Sequence, residues 1–284
     1  MPAHNGRMDA GELQSLLHAR LGGAWRVRPL AASSFCTTWE ARAAGERLFV
    51  KNASASLEAE ADGLRALART RTVRVPAVAC CEPGVLVLEW LDFAPPDAHF
   101  GARLAEALAA LHAQRPVLEG YGWTRDNFLG ATPQSNSVHA DWAAFFGSER
   151  LLAMLRRLQP SRELRIAVEA VVSALPALMA EGDAPRPSLI HGDLWSGNWG
   201  TLADGTPVIY DPAVSVSDAE AELAMMELFG APPAGFAAAY AKASGRRRDP
   251  RRTRVYQLYH LLNHAVLFGG GYAQQALHVA RGIA

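Results

Sequence analysis

Lysine is almost missing from this chain: of its 28 basic residues only Lys51 and Lys242 are lysine, the rest being arginine. Cysteine is scarce as well. Cys36, Cys80 and Cys81, the last two adjacent, provide neither a disulfide framework nor the paired spacing of a zinc site. Neither sign of charge prevails, because 28 acidic residues balance the 28 basic ones, and the basic footprint of a nucleic-acid binder is lacking. No apolar run reaches the roughly 18 residues a membrane helix needs, and the N-terminal stretch holds no apolar signal core. A G-x-S-x-G elbow and a Walker A loop are both absent, which removes the hydrolase and P-loop readings. Half of the 284 residues are hydrophobic, so the chain is folded, and the expectation is a cytoplasmic protein that binds neither membrane nor nucleic acid.

What is present reads as two unlike parts. Helical spacing covers 10–21, and residues 25–50 read as strands with a turn at Ala43-Ala44-Gly45. Leu57, Ala61, Leu64 and Leu67 place a helix over 56–68, followed by expected strands over 73–78 and 85–90. Pro95-Pro96 then breaks the pattern within Asp92–Pro96, the expected hinge. Beyond it helices prevail, marked by Leu104, Leu108 and Leu111, by Trp142, Phe145 and Phe146, and by the run 164–179. Two short strand-like runs lie between Leu189 and Asp211, and helices resume near Ala219, interrupted at Pro232-Pro233 and over 245–250. The expected class is α+β, with residues 1–92 a small lobe of strands plus a helix and 93–284 a larger, mainly helical lobe.

The strongest local signal is Leu189-Ile190-His191-Gly192-Asp193-Leu194-Trp195-Ser196-Gly197-Asn198. An Asp followed five residues later by an Asn, after an apolar strand, matches the catalytic loop of kinases. The spacing lets the Asp reach a nucleophilic hydroxyl while the Asn turns back to hold Mg²⁺ on the phosphates. A second carboxylate must then hold the metal from a neighbouring strand, and Val208-Ile209-Tyr210-Asp211 ends in one. As ordinary turn and capping residues, His191, Asp193, Asn198 and Asp211 would have no reason to coincide in this pattern. One of the two lysines closes the apolar run Arg47-Leu48-Phe49-Val50-Lys51, where a compact ammonium differs from the guanidinium used elsewhere.

These motifs resemble the kinase-like phosphotransferases that include aminoglycoside and choline kinases. Within them, the chain is most similar to the fructosamine kinase (ketosamine-3-kinase) family. The Trp-Ser-Gly form of the loop carries that resemblance, as do Gly130-Ala131-Thr132-Pro133-Gln134-Ser135-Asn136 with Asp141-Trp142 and Phe145-Phe146. Ala221-Glu222-Leu223-Ala224-Met225-Met226-Glu227-Leu228-Phe229-Gly230 and a C-terminal helix over 256–272 with Leu262-Asn263-His264 extend it from about residue 30 to residue 272. The resemblance implies a protein-kinase-like two-lobe fold with a small antiparallel sheet, and ATP and Mg²⁺ as cofactors. It implies transfer to the sugar 3-hydroxyl of ketosamines (fructosamine or ribulosamine adducts, free or on glycated proteins) in deglycation repair by a monomer.

Residue by residue, it implies Asp193 as the catalytic base and Asn198 and Asp211 as metal ligands. Lys51 would pair the phosphates with Glu60 as its partner, while Glu58, two residues away on the helix, faces elsewhere. The Glu89 carbonyl and the Leu91 amide would meet adenine. His191 and Trp195 border the acceptor; Trp195 is either an apolar wall for the sugar or a core tryptophan. Two stretches depart from the family. The phosphate loop Ala31-Ala32-Ser33-Ser34-Phe35-Cys36-Thr37-Thr38 lacks glycine, and its Cys36 is either redox-responsive or an inert buried thiol. Ser215-Val216-Ser217-Asp218-Ala219-Glu220 replaces the usual segment bordering the acceptor, which keeps open an aminoglycoside- or choline-type acceptor, or a non-catalytic binding role. His260 and His264, at i and i+4, lack the acid of a zinc motif and read as packing residues, and the arginines of 246–254 as a solvated helix start.

Overall fold

The computed structural model describes residues 8–33, 36–53 and 57–283. Helix α1 (Ala10–Leu21) begins at a reciprocal cap, Asp9 accepting from the Glu12 amide at 2.9 Å and Glu12 from the Asp9 amide at 2.8 Å. Its Leu13 and Leu17, one turn apart, bury against Trp25, Val50 and Val87 of the sheet. That sheet is antiparallel, in the order β1–β2–β3–β5–β4, with β1 (Arg26–Ala32), β2 (Cys36–Ala43), β3 (Glu46–Ala53), β4 (Val78–Glu82) and β5 (Val85–Glu89). The β2–β3 turn falls at the expected Ala44-Gly45, whose φ angles of 44° and 87° give the twist a two-residue hairpin needs. Helix α2 (Glu58–Thr70) buries Ala61, Leu64 and Leu67 as its spacing requires. The expected strand over 73–78 does not form. Pro76 cannot donate to a ladder, so the chain stays extended with a lone bridge from Arg74 to Val208 and pairs only from Val78 onward.

Beyond β5 a two-residue strand β6 (Phe93–Ala94) joins a second sheet, and α3 (Phe100–His112) buries Leu104, Leu108 and Leu111. The hairpin β7 (Asn127–Leu129) and β8 (Thr132–Gln134) was not expected, since three-residue strands are too short to show alternation. Next come α4 (Trp142–Phe145), a π-helical stretch over Phe146–Leu152, α5 (Ala153–Arg157) and α6 (Arg162–Ala180), whose Ser161 caps the Leu164 amide at 3.2 Å. The β insertion is larger than its two apolar runs suggest. β9 (Pro187–Ile190) pairs with β12 (Ser215–Asp218), and between them β10 (Trp199–Leu202) and β11 (Pro207–Ile209) form a hairpin flanked by β6. Helices α7 (Ala219–Leu228), α8 (Phe236–Ser244), α9 (Pro250–Phe268) and α10 (Tyr272–Arg281) follow. The single C-terminal helix expected over 256–272 is therefore two, because Gly269 and Gly270 take φ of 63° and 59° and end α9.

One hydrophobic core joins Leu64 and Leu67 of α2 and Leu86 and Leu88 of β5 to Leu104 and Leu108 of α3, Leu194 and Ile209. A second, around Trp142, Phe145, Phe146 and Tyr256, packs the C-terminal helices. Among the described residues no helix is long and apolar enough to cross a membrane.

Candidate active site

Lys51 lies on β3 with its side chain almost wholly buried, and its Nζ donates to Glu60 Oε1 at 2.8 Å and to Asp211 Oδ1 at 2.5 Å. The three come from β3, α2 and the turn after β11. Gly63 lets α2 close on that turn, where a Cβ would sit 3.2 Å from Pro212 and Val214. Burial works against the Lys51 charge, but the Glu60 and Asp211 carboxylates outweigh it and hold the ammonium well above its ordinary pKa. Glu58, as its position two residues away requires, points elsewhere, 3.9 Å from Arg125.

Asp193 and Asn198 sit in the loop between β9 and β10. The Asn198 amide nitrogen donates to the Asp193 carbonyl at 2.8 Å and lies 3.4 Å from its carboxylate. That orientation turns the Asn198 oxygen to the other side. The Tyr210 amide donates to the Asn198 carbonyl at 3.0 Å, so the β10–β11 hairpin carries Asn198 and Asp211 together. Asp211 takes φ of 59°, a strained conformation for a residue with a side chain, of the kind concentrated at functional sites. Burial, then the Asp211 charge, pushes the Asp193 carboxyl up to about 7 against the pull of Asn198, into the range that suits a general base at neutral pH.

The loop is held from behind. His191, expected at the acceptor, is instead fully buried: its Nε2 donates to the Tyr210 carbonyl at 2.8 Å and its Nδ1 accepts from the Asp193 amide at 3.2 Å. With both nitrogens engaged it supports the loop, and it does not line the cavity onto which Asp193 opens, where a substrate contact was expected. Gly192, at φ 85°, passes so close to Ala213 that a Cβ would lie 2.1 Å from the carbonyl oxygen. Gly192→Ala should destabilise the protein by more than about 3 kcal/mol, read by denaturant unfolding.

The Gly192 amide donates at 2.8 Å to Glu222 on α7. Glu222 also accepts from His112 Nε2 at 3.0 Å, and His112 Nδ1 meets the Tyr240 hydroxyl at 2.7 Å. This buried chain from α7 through α3 to α8 escaped the sequence reading. An acid inside the apolar run of α7 was its only trace. Removing the carboxylate strands two buried donors at about 1–3 kcal/mol each, so Glu222→Ala should unfold at clearly lower denaturant than Glu222→Gln, which keeps an acceptor oxygen.

These groups open onto one cavity of about 770 Å³. Lys51, Glu60, Asp193, Asn198 and Asp211 line it with Cys36, Trp195, the β7–β8 turn, Met225 of α7, Phe229 just beyond it and a stripe of α9. Trp195 borders the cavity and is 41% exposed, so it is not a core residue. Burial raises the Cys36 thiol above its ordinary pKa; Ser34 and Phe35 of the same loop lie outside the described residues. Glu89 and Leu91 are not on the cavity. The Glu89 carboxylate is taken by the Arg74 guanidinium and, at 3.0 Å, by the Ala77 amide. The departing segment after Val214 does not border this cavity either: Ser215–Asp218 are the buried strand β12.

Oxygen donors from an amide and a carboxylate, beside a buried lysine, suit Mg²⁺ carried on phosphates, a cation that takes few protein ligands and keeps its remaining sites for phosphate and water. Fold and site together define a protein-kinase-like phosphotransferase acting on a hydroxyl group. The aminoglycoside phosphotransferase APH(2'')-Ib shares the fold over 97% of this chain and 99% of its own, at TM-score 0.65 and 15% identity. More particularly, the chain belongs to the fructosamine kinase family, which it matches over residues 22–283. It is 44% identical over 227 residues to a "Probable ketoamine kinase" of Synechocystis sp., covering 77% of this chain and 75% of that protein. The crystal structure of a "putative fructosamine-3-kinase" from Thermobifida fusca YX-ER1 superposes with TM-score 0.88 at 31% identity, covering 97% of this chain and 99% of the other.

Proposed function

We propose that this protein transfers the γ-phosphoryl group of ATP, with Mg²⁺, to the 3-hydroxyl of a ketosamine sugar, a fructosamine or ribulosamine adduct, free or on a protein. The observation that carries the reading is the meeting of Lys51–Glu60–Asp211 and Asp193–Asn198 on one cavity large enough for both a sugar and a triphosphate tail. ATP would supply the phosphoryl group, and bound Mg²⁺ would spread the charge that develops on it. Asp193 orients the acceptor hydroxyl and takes its proton, and Lys51, held rigid by Glu60, fixes the phosphates in line. Asn198 and Asp211 would hold the metal. Residues 1–92 form the nucleotide lobe, with the Glu89 carbonyl and Leu91 amide for adenine, and 93–284 carry the catalytic loop and acceptor site. Phosphorylation makes the adduct labile and frees the amine, which gives this protein a place in cytoplasmic deglycation, acting as a monomer.

ATP consumption over fructose-, ribose- and erythrulose-derived amine adducts, with the product mapped by NMR, tests the reading. Phosphate on the sugar 3-position is the expected result. Turnover with aminoglycosides or choline but no ketosamine would replace the acceptor, and ATP binding without any turnover would make the protein a kinase-like binder.

A further inference from the structure

The block over 130–136 carries part of the family resemblance, and its polar side chains Gln134 and Asn136 are both buried. Gln134 is the middle link of a hydrogen-bonded chain that crosses the protein. On α9 the Tyr259 hydroxyl donates to Gln134 Oε1 at 2.5 Å. Gln134 Nε2 donates to Asn127 Oδ1 at 2.7 Å, across the β7–β8 pair in which the two residues stand opposite each other. Asn127 Nδ2 then donates to the Val214 carbonyl at 2.8 Å. Each amide accepts on its oxygen and donates from its nitrogen, so every link has one direction and none can be exchanged for its reverse. Asn136 anchors the far end of the hairpin: the buried Arg150 donates to its Oδ1 at 2.7 Å and to the Ser135 carbonyl at 2.6 Å.

The chain ends on the turn that carries Asp211, whose φ of 59° persists only where the surroundings over-determine it. Two backbone groups of that turn are gripped. The Ala213 amide donates to the His191 carbonyl at 2.8 Å, and the Val214 carbonyl accepts from Asn127. The first grip comes from the catalytic loop itself. The second comes from the β7–β8 hairpin, which Tyr259 and Arg150 hold from behind. Asn127 borders the large cavity but is only 3% exposed, and both ends of its amide are engaged. It therefore has nothing left to offer a ligand and acts through Val214.

We propose that Asn127 is a positioning residue which, through the Val214 carbonyl, keeps Asp211 in the conformation that lets it hold a phosphate-bound metal. The inference rests on the Mg²⁺-dependent phosphotransfer reading above and gives the hairpin block a task in it, that of bracing the metal-binding carboxylate. Partners standing behind a metal ligand commonly account for tenfold to a hundredfold in metal affinity. Removing the Asn127 amide also leaves the Val214 carbonyl and the Gln134 nitrogen without their partners, so the turn is free to relax. Lys51 keeps Glu60 when Asp211 shifts, so the charge that meets phosphates in the absence of metal changes little.

The experiment measures ADP binding by calorimetry, with and without Mg²⁺, on wild type, Asn127→Ala and Tyr259→Phe, beside thermal melting of each. Wild type should bind ADP more tightly with Mg²⁺ than without. Asn127→Ala should lose about tenfold or more of the affinity measured with Mg²⁺, and keep the metal-free affinity within about twofold. Tyr259→Phe, which removes only the hydroxyl at the far end of the chain, should shift the same way by more than about twofold. A merely structural Asn127 would lower the melting temperature and the fraction of binding-competent protein while leaving both dissociation constants within about twofold, which overturns the proposal. An equal loss with and without Mg²⁺ overturns it too. If Asn127→Ala does not fold, Tyr259→Phe decides: a shift of about twofold or less in the Mg²⁺ arm defeats the proposal. Wild-type ADP binding that is indifferent to Mg²⁺ would mean that the functional reading has failed, an outcome seen in the parent protein and so distinct from a failure seen only in the variants.

Discussion

Lys51→Arg should cost roughly 10²-fold or more in kcat while thermal melting stays within a few degrees of the parent. Arginine fills nearly every other basic position in this chain, so a general intolerance of it is not the reason. Lys51 Nζ bridges two carboxylate oxygens, at 2.8 Å on Glu60 and 2.5 Å on Asp211, from a side chain only 10% exposed. A point-like ammonium fits between two carboxylates that converge on it. A planar guanidinium spreads its donors over a fork and must displace α2, the Asp211 turn, or itself. Because charge is conserved, neither the largely buried Glu60 nor the part-exposed Asp211 is left unpaired, which is why folding should survive. The displaced fork misplaces phosphates by a fraction of an ångström to an ångström, and in-line geometry is what such errors damage, so the loss belongs in kcat more than in the KM for ATP. An arginine variant that turns over as fast as the parent would make the lysine incidental and shift the nucleotide site elsewhere.

Asp193→Asn should lower transfer by about 10² to 10⁴-fold with ATP binding largely intact. The amide keeps the shape of the carboxylate and the approach to Asn198, yet it cannot accept the hydroxyl proton. The structure adds a reason for the size of the effect. Burial and the Asp211 charge bring the Asp193 carboxyl to about 7, so at neutral pH it is a stronger base than an exposed aspartate. Nucleotide binding by calorimetry beside steady-state kinetics checks both halves of the expectation. Near-parental kcat would take Asp193 out of the chemistry.

Local chemistry was legible in the sequence wherever function had left its residues close together along the chain. The loop 191–198, the strand ending in Asp211, the lone lysine closing β3 and the periodic Ala61, Leu64 and Leu67 of α2 could be read directly, because short-range spacing on a strand or helix dictates which side chains share a face. The family resemblance rested on those same residues. The choice of Glu60 over Glu58 came with that resemblance, the angle between two positions on a helix adding only that both cannot face Lys51.

Contacts between distant segments left no such trace. Nothing in the sequence distance of 160 residues between Lys51 and Asp211 announces that they meet, and nothing near His112 or Tyr240 says that they brace Glu222 beneath the loop. His191 carried the pattern of a site residue, but burial and two engaged nitrogens made it a support. The segment after Val214 looked like an altered acceptor wall until β9–β12 pairing buried it. Asn263 could be read as part of a C-terminal motif, while its side-chain contact with the Leu129 carbonyl exists only once α9 has packed against β7. Spacing along a chain determines which faces a helix or strand presents, but what those faces meet, and which polar atoms are left unpaired, is decided by long-range packing.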